Sequence, residues 1–245
     1  MTFCLGMRLA EGLVGIADTR VISGSEIIQA RKFNVFHQER GCMFLLTSGL
    51  RSVRDKALVY FEEYLETRNE PFDRLFKAVN AFAQMLRQVA DEDKRPLSES
   101  GLSFNIHCLI GGQMARDREH TLYLVYPEGN WVEIGKGTPY QIIGAPPFGK
   151  PVLDRTITYE DSLAFALKVG YLSFDSTRIS ATDVDYPIDV LVYRTGTFDI
   201  RVHRFEKEEM GRISDWWDEH LRDSVKQLPS EWIRGIFADI EKSTG

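Results

Sequence analysis

At 245 residues, 43% hydrophobic and 27% charged, the chain has the make-up of a globular protein with ample length to bury a full core. Its net charge of −6 speaks against nucleic acid or an anionic membrane as a partner. No apolar run approaches the roughly 18 residues that span a bilayer, and no basic leader with a cleavable apolar stretch opens the chain, so a cytoplasmic protein is expected.

The three cysteines, Cys4, Cys42 and Cys108, are odd in number and each lies in an apolar, strand-like run, the setting of buried structural thiols. The histidines show no metal-ligand spacing and no glycine-rich phosphate loop is present, so neither metal nor cofactor is expected.

Residues 2–9 read as a buried strand, joined by the turn Glu11-Gly12 to a second apolar run, Leu13 to Ala17, that ends at Asp18-Thr19-Arg20. Two short strands across a tight turn make a hairpin, which returns Asp18 to the end of the sheet that carries Thr2. Val21 to Ala30 reads as a loop. Lys32 to Phe36 and Cys42 to Leu46 form a second hairpin that closes in Thr47-Ser48-Gly49-Leu50. Apolar residues at three- and four-residue spacing then predict two helices, one from Val53 to Leu65 and one from Phe72 to Leu86 with Pro71 suited to its start. Asp91 to Ser100 reads as a loop.

Strands are expected at Leu102 to Gly112, Thr121 to Tyr126, Trp131 to Ile134 and Tyr140 to Ile143. The loop Gly144 to Lys150 leads into a short helix near Pro151 to Arg155, and a longer helix runs from Tyr159 to Ser176. Ile188 to Tyr193 and Phe198 to His203 form a closing hairpin, and Lys207 to Lys242 reads as a helical tail carrying Trp216-Trp217, Leu221, Trp232 and Ile236-Phe237. Blocks of strands separated by helix pairs imply an α+β fold, a four-layer αββα sandwich of two stacked antiparallel sheets flanked by helix pairs. The expected division is a domain over 1–205 and a helical extension over 206–245, packed on that domain or on a neighbouring subunit.

Thr2 offers a distinct chemistry. With Met1 removed, a hydroxyl and a free α-amine share one residue, and an α-amine has a pKa of about 7.7–8.0, so it can take the hydroxyl proton at neutral pH without a histidine. Retention of Met1 would lock that amine in a peptide bond and leave the hydroxyl without its base.

The order of Thr2, Gly15-Ile16-Ala17-Asp18-Thr19-Arg20, Lys32 and Thr47-Ser48-Gly49-Leu50 resembles the proteasome β-subunit pattern of N-terminal-nucleophile (Ntn) hydrolases, over most of residues 2–205. The Met-Thr start, the loop Gly149-Lys150-Pro151-Val152-Leu153-Asp154-Arg155 and the tryptophan-bearing tail are similar to the Anbu (ancestral β-subunit) family. The resemblance implies Thr2 as nucleophile, Asp18 and Lys32 as its charge pair, and Gly49 as the oxyanion site. It implies Asp175 and Ser176 as a supporting pair, although Thr177 or Ser180 could equally supply the hydroxyl. Ile22, Thr47 and Ser48 are the implied substrate-binding positions, Ile22 standing where the family has threonine. Ala145 follows Gly144 where the family has a proton-relaying serine.

The expected function is a threonine peptidase or amidase acting on peptides or small amides within a homo-oligomeric ring or spiral. The alternatives are a latent or structural subunit of such an assembly, or an amidase restricted to short substrates. Neither nucleic acid nor membrane is expected as a partner.

Overall fold

The computed structural model describes residues 2–23 and 26–236. Every residue of β1 (Phe3–Leu9) and β2 (Gly12–Asp18) is buried. Successive side chains of a strand point to opposite faces, so a strand apolar throughout must be covered on both sides. The two pair antiparallel as the expected hairpin.

The stretch expected as a loop is instead a two-stranded ribbon, β3 (Arg20–Ser23) with β4 (Glu26–Gln29). Cross-strand pairing of Val21 with Ile28 and of Ile22 with Ile27 accounts for it, since β-branched residues opposite one another stabilise a ladder. β5 (Phe33–Gln38) and β6 (Gly41–Gly49) form the second hairpin.

The helix α1 (Arg51–Thr67) buries Val53, Ala57, Leu58 and Phe61. Its partner α2 (Leu75–Glu99) begins later than Pro71 and continues through the segment expected as a loop, with Pro96 inside it. The charges that suggested a loop are a solvated helix face tied to α1. Lys56 Nζ lies 2.6 Å from Glu92 Oε2 and 2.8 Å from Asp93 Oδ1, and Tyr60 Oη donates to Glu92 Oε2 at 2.8 Å. Pro96 falls in the last turn, where it has no N–H to give the Glu92 carbonyl and so costs the helix one bond.

The remaining elements are β7 (Ile106–Met114), β8 (Thr121–Val125), β9 (Trp131–Glu133), β10 (Tyr140–Gly144), α3 (Pro146–Thr156), α4 (Leu163–Ser180), β11 (Ile188–Arg194) and β12 (Ile200–Phe205). Most of the expected loop 144–150 is the opening of α3, whose first position takes Pro146 because its fixed φ suits a helix start. α4 starts about four residues later than expected, where Ser162 caps it by accepting from the Phe165 amide at 3.2 Å, and it ends about four residues later, at Ser180.

One sheet runs β10-β1-β2-β11-β12 and the other β5-β6-β7-β8-β9. Cys4, Leu13, Leu191 and Tyr193 from the first meet Cys42, Phe44, Leu46 and Leu109 from the second in a core between the sheets. The alternate residues Met43, Leu45, Ile106 and Ile110 face outward against Phe61, Phe82 and Leu86 of the helix pair α1–α2. On the other side α4 lies directly on the first sheet. A Cβ at its Gly170 would come within 2.7 Å of Ile16 Cδ1 and 2.8 Å of Met7 Cε, and the Phe174 ring packs edge-on to Phe3 with centroids 5.9 Å apart. The molecule is the expected αββα sandwich, and each fully buried Phe or Leu in it contributes about 1.5–3 kcal/mol.

This compact unit ends at Glu206, and a second begins at Lys207. Among the described residues the second carries α5 (Lys207–Lys226) and a short 3₁₀ turn, Glu231–Ile233. Acidic Glu208 and Glu209 in the first turn of α5 and Lys226 in its last match the helix dipole. The expected helical residues 237–242 lie outside the described residues. Among the described residues, no helix is long and apolar enough to cross a membrane.

Candidate active site

Thr2 precedes β1 and lines a cleft of about 650 Å³. Lys32, Thr47, Ser48, Gly49 and Ile22 line the same cleft, so six of the residues singled out in the sequence converge on it.

Beneath them lies the charge pair. Asp18 ends β2 and is fully buried, and its Oδ1 accepts from Lys32 Nζ at 2.7 Å and from the Phe3 amide at 2.8 Å. One carboxylate oxygen therefore joins the residue after Thr2 to the lysine. Asp18 Oδ2 has no hydrogen-bond partner among the described residues. Burial raises the carboxyl's pKa, and the Lys32 ammonium opposes that rise. Lys32 is itself only 3% exposed and gives a second bond to the Arg20 carbonyl at 2.6 Å. Its backbone is fixed as well, its carbonyl accepting from the Thr47 amide at 2.9 Å and from Thr47 Oγ1 at 3.3 Å. Taking an amino group out of water is costly unless its donors find acceptors, and Lys32 Nζ has two of them, Asp18 and the Arg20 carbonyl.

Two glycines shape the rim. Gly49 ends β6 with φ +135°, and a Cβ there would fall 2.1 Å from the Asn105 carbonyl oxygen. Gly144, paired with Phe3 across β10 and β1, has φ +101°, and a Cβ there would fall 1.8 Å from the Thr2 carbonyl oxygen. Only a residue without a side chain permits both approaches. Ala145 is buried at the cap of α3 and gives the helix no side-chain hydrogen bond, as a serine would.

Asp175 and Ser176 do not line the cleft. Asp175 is buried on α4, its Oδ1 2.6 Å from Arg178 Nη2, and the adjacent Phe174 is the residue that packs on Phe3. Ser176 Oγ donates to the Leu172 carbonyl at 2.8 Å and Thr177 Oγ1 to the Ser173 carbonyl at 2.8 Å, while Ser180 is exposed. Two of the three candidate hydroxyls are thus bonded within their own helix.

The cysteines are buried and free, and burial pushes the Cys42 thiol up to about 12 and those of Cys4 and Cys108 higher still. Protonated thiols of this kind are poor nucleophiles. Among the described residues, no three His, Cys, Asp or Glu side chains are gathered to hold a metal ion. Residues that the sequence reading did not single out also line the cleft, among them Arg51, Arg54 and His107. No spacing marks them, because they come from the first turns of α1 and from β7.

Two antiparallel sheets between helix pairs, with a cleft where β1 begins, define a proteasome-like protein. No protein-family model matches the sequence, and no curated protein does either. Solved structures do. An Anbu (Gly-1) mutant from Hyphomicrobium sp. strain MC1 is 30% identical, with 93% of this chain and 99% of that one covered at a TM-score of 0.86. Anbu from Yersinia bercovieri is 27% identical, covering 93% and 97% at 0.85. The subunit of the helical assembly of the Anbu complex from Pseudomonas aeruginosa is 27% identical, covering 93% and 97% at 0.86. The chain belongs to the Anbu family.

Proposed function

We propose that the protein is a proteasome-type threonine hydrolase, a peptidase or amidase, whose nucleophile is Thr2 after removal of Met1. The observation that carries the reading is the Asp18 carboxylate that holds both Lys32 and the amide of Phe3, next to Thr2. The Lys32 ammonium penalises a second positive charge nearby, which keeps the Thr2 α-amine neutral and able to act as base. The amine takes the Oγ proton as Oγ attacks the amide carbon, and it passes the proton to the departing amine. The resulting ester is then attacked by water, which the same amine deprotonates. Gly49 offers a backbone N–H to the oxyanion, an interaction worth about 2.7–4 kcal/mol in comparable sites. Asp175 acts at one remove, through the turn of α4 that packs on Phe3. Thr47, Ser48 and Ile22 border the substrate.

Self-association belongs to the same proposal. The family includes a helical assembly, and the apolar Trp216, Leu221 and Val225 of this chain are exposed. A second reading, a latent subunit of such an assembly, is favoured by Ala145, which lacks the hydroxyl of the family's serine.

Intact-mass spectrometry after incubation with a peptide epoxyketone or β-lactone tests the reading. The expected result is loss of Met1 and one covalent adduct, absent from Thr2→Ala. Fully processed protein that takes no adduct from any such probe would establish the latent subunit instead.

A further inference from the structure

The chain carries a net charge of −6, yet the charged side chains that line the cleft beside Thr2 are basic. Lys32, Arg51, Arg54 and His107 line it, and among the described residues none of those lining it is acidic. Asp18, the carboxylate of the charge pair, is fully buried and committed to Lys32 and Phe3.

The two arginines are held in place. Asp55 Oδ1 accepts from Arg54 Nε at 2.8 Å and Nη2 at 2.6 Å, while Asp55 Oδ2 accepts from Arg51 Nε at 3.3 Å. Arg54 is further fixed by a bond to the Arg31 carbonyl at 3.2 Å, and its side chain is only 15% exposed. Arg51 is 57% exposed, and its two terminal nitrogens have no hydrogen-bond partner among the described residues. That leaves one guanidinium with a free fork beside another that is anchored, the arrangement suited to a planar carboxylate. His107 stands across from Ser48 in the β6–β7 register, its ring 6.1 Å from that of Tyr126. With Leu124, these rings offer an apolar surface to the stem of a short side chain.

We infer that the cleft selects substrates carrying a carboxylate close to the scissile amide, with the free fork of Arg51 binding it, Arg54 adding positive charge beside it and Asp55 positioning both. The carboxylate is an acidic side chain on the residue whose carbonyl Thr2 attacks, or the free end of a short peptide. The inference rests on the proposed role of Thr2 for where the scissile amide lies, but the charge preference does not require turnover.

The binding test uses the full-length Thr2→Ala protein and calorimetry with acetyl-tetrapeptides. One pair ends in Glu-amide or Gln-amide; a second pair compares Gln-amide with Gln as the free acid. A carboxylate-bearing peptide is expected to bind about tenfold tighter than its neutral partner at low salt. The ratio should shrink as salt rises and fall to about one in Arg51→Gln/Arg54→Gln. Preference for Glu-amide identifies an acidic side chain, and preference for the free acid identifies a chain end. Equal binding, no measurable binding, or a preference that survives the double substitution overturns the inference. Labelling of the unsubstituted protein by epoxyketones ending in Glu, Gln or Leu separates the two proposals. Labelling by Leu with equal Glu and Gln rates leaves the nucleophile standing and removes the charge selectivity. A binding preference in a protein that no probe labels does the reverse.

Discussion

Two buried carboxylates, Asp18 and Asp175, each hold a cation, and they differ in reach. Asp18 at the end of β2 joins a lysine 14 residues away and an amide 15 residues away, so three separate segments meet on one oxygen. Asp175 pairs with Arg178, one turn further along the same helix. The cations differ too, since Lys32 is 3% exposed whereas the Arg178 side chain is 22% exposed and within reach of water. A pair that links distant segments away from solvent is a fixed part of the fold's geometry; the Asp175–Arg178 pair closes within one helix turn, with the guanidinium also 5.3 Å from the centroid of the Tyr186 ring.

The largest effect is expected from Lys32→Met. It leaves Asp18 buried without its counter-charge, and chemical denaturation at neutral pH should show a loss of about 3–5 kcal/mol. The pH dependence has a definite sign. Burial already raises the Asp18 carboxyl, and loss of the ammonium raises it further, so the folded variant binds the proton more tightly than the unfolded chain. Its stability should therefore recover as pH falls toward the usual carboxylate value of about 4, and drop as pH rises through the folded value. Denaturation curves that are parallel to the parent's at every pH would mean that the Asp18 charge is screened by something other than Lys32.

Adding Asp18→Asn to Lys32→Met removes both charges while leaving an acceptor for the Phe3 amide. Replacing a buried pair with neutral groups is often neutral or stabilising by about 1–4 kcal/mol, so the double variant should melt at or above the parent temperature while losing all probe labelling. Co-loss of stability and labelling would instead make the pair a structural element. Asp175→Asn should cost less, about 1–3 kcal/mol, because the Arg178 cation is partly exposed and is not sealed from water as Lys32 is. Ser176→Ala removes only a hydroxyl bonded to its own helix, and a change within about 0.5 kcal/mol is expected. A sharp fall in labelling without a stability change in either variant would move that residue from bracing to chemistry.

How much of this was legible in the sequence follows from what each signal measures. The hairpins of β1–β2 and β5–β6 could be read because continuous apolar runs between tight turns leave few alternatives. The β3–β4 ribbon was hidden because the residues Ser23-Gly24-Ser25 read as a loop and the strands themselves are only four residues long. The end of α2 was hidden because its charges look solvated whether or not a helix carries them, and its stabilisers, Lys56 and Tyr60, lie on α1. At the site, Thr2, Asp18, Lys32 and Gly49 stood out as an ordered set. Arg51, Arg54 and His107 did not, since an arginine on the first turn of a helix reads the same over a cleft as over open solvent. Ser176 shows the reverse limit, for a residue type and position do not reveal that the hydroxyl is already bonded to Leu172.

The placement of β1 carries a practical consequence for handling the protein. This strand lies inside its sheet, with β2 on one side and β10 on the other, and Gly144 crowds the carbonyl of Thr2. Any purification tag fused ahead of Thr2 keeps that residue's nitrogen in a peptide bond, so the proposed base is lost however well the protein folds. A fusion at the other end of the chain leaves that amine free to form, so the choice of expression vector decides whether an activity screen can succeed.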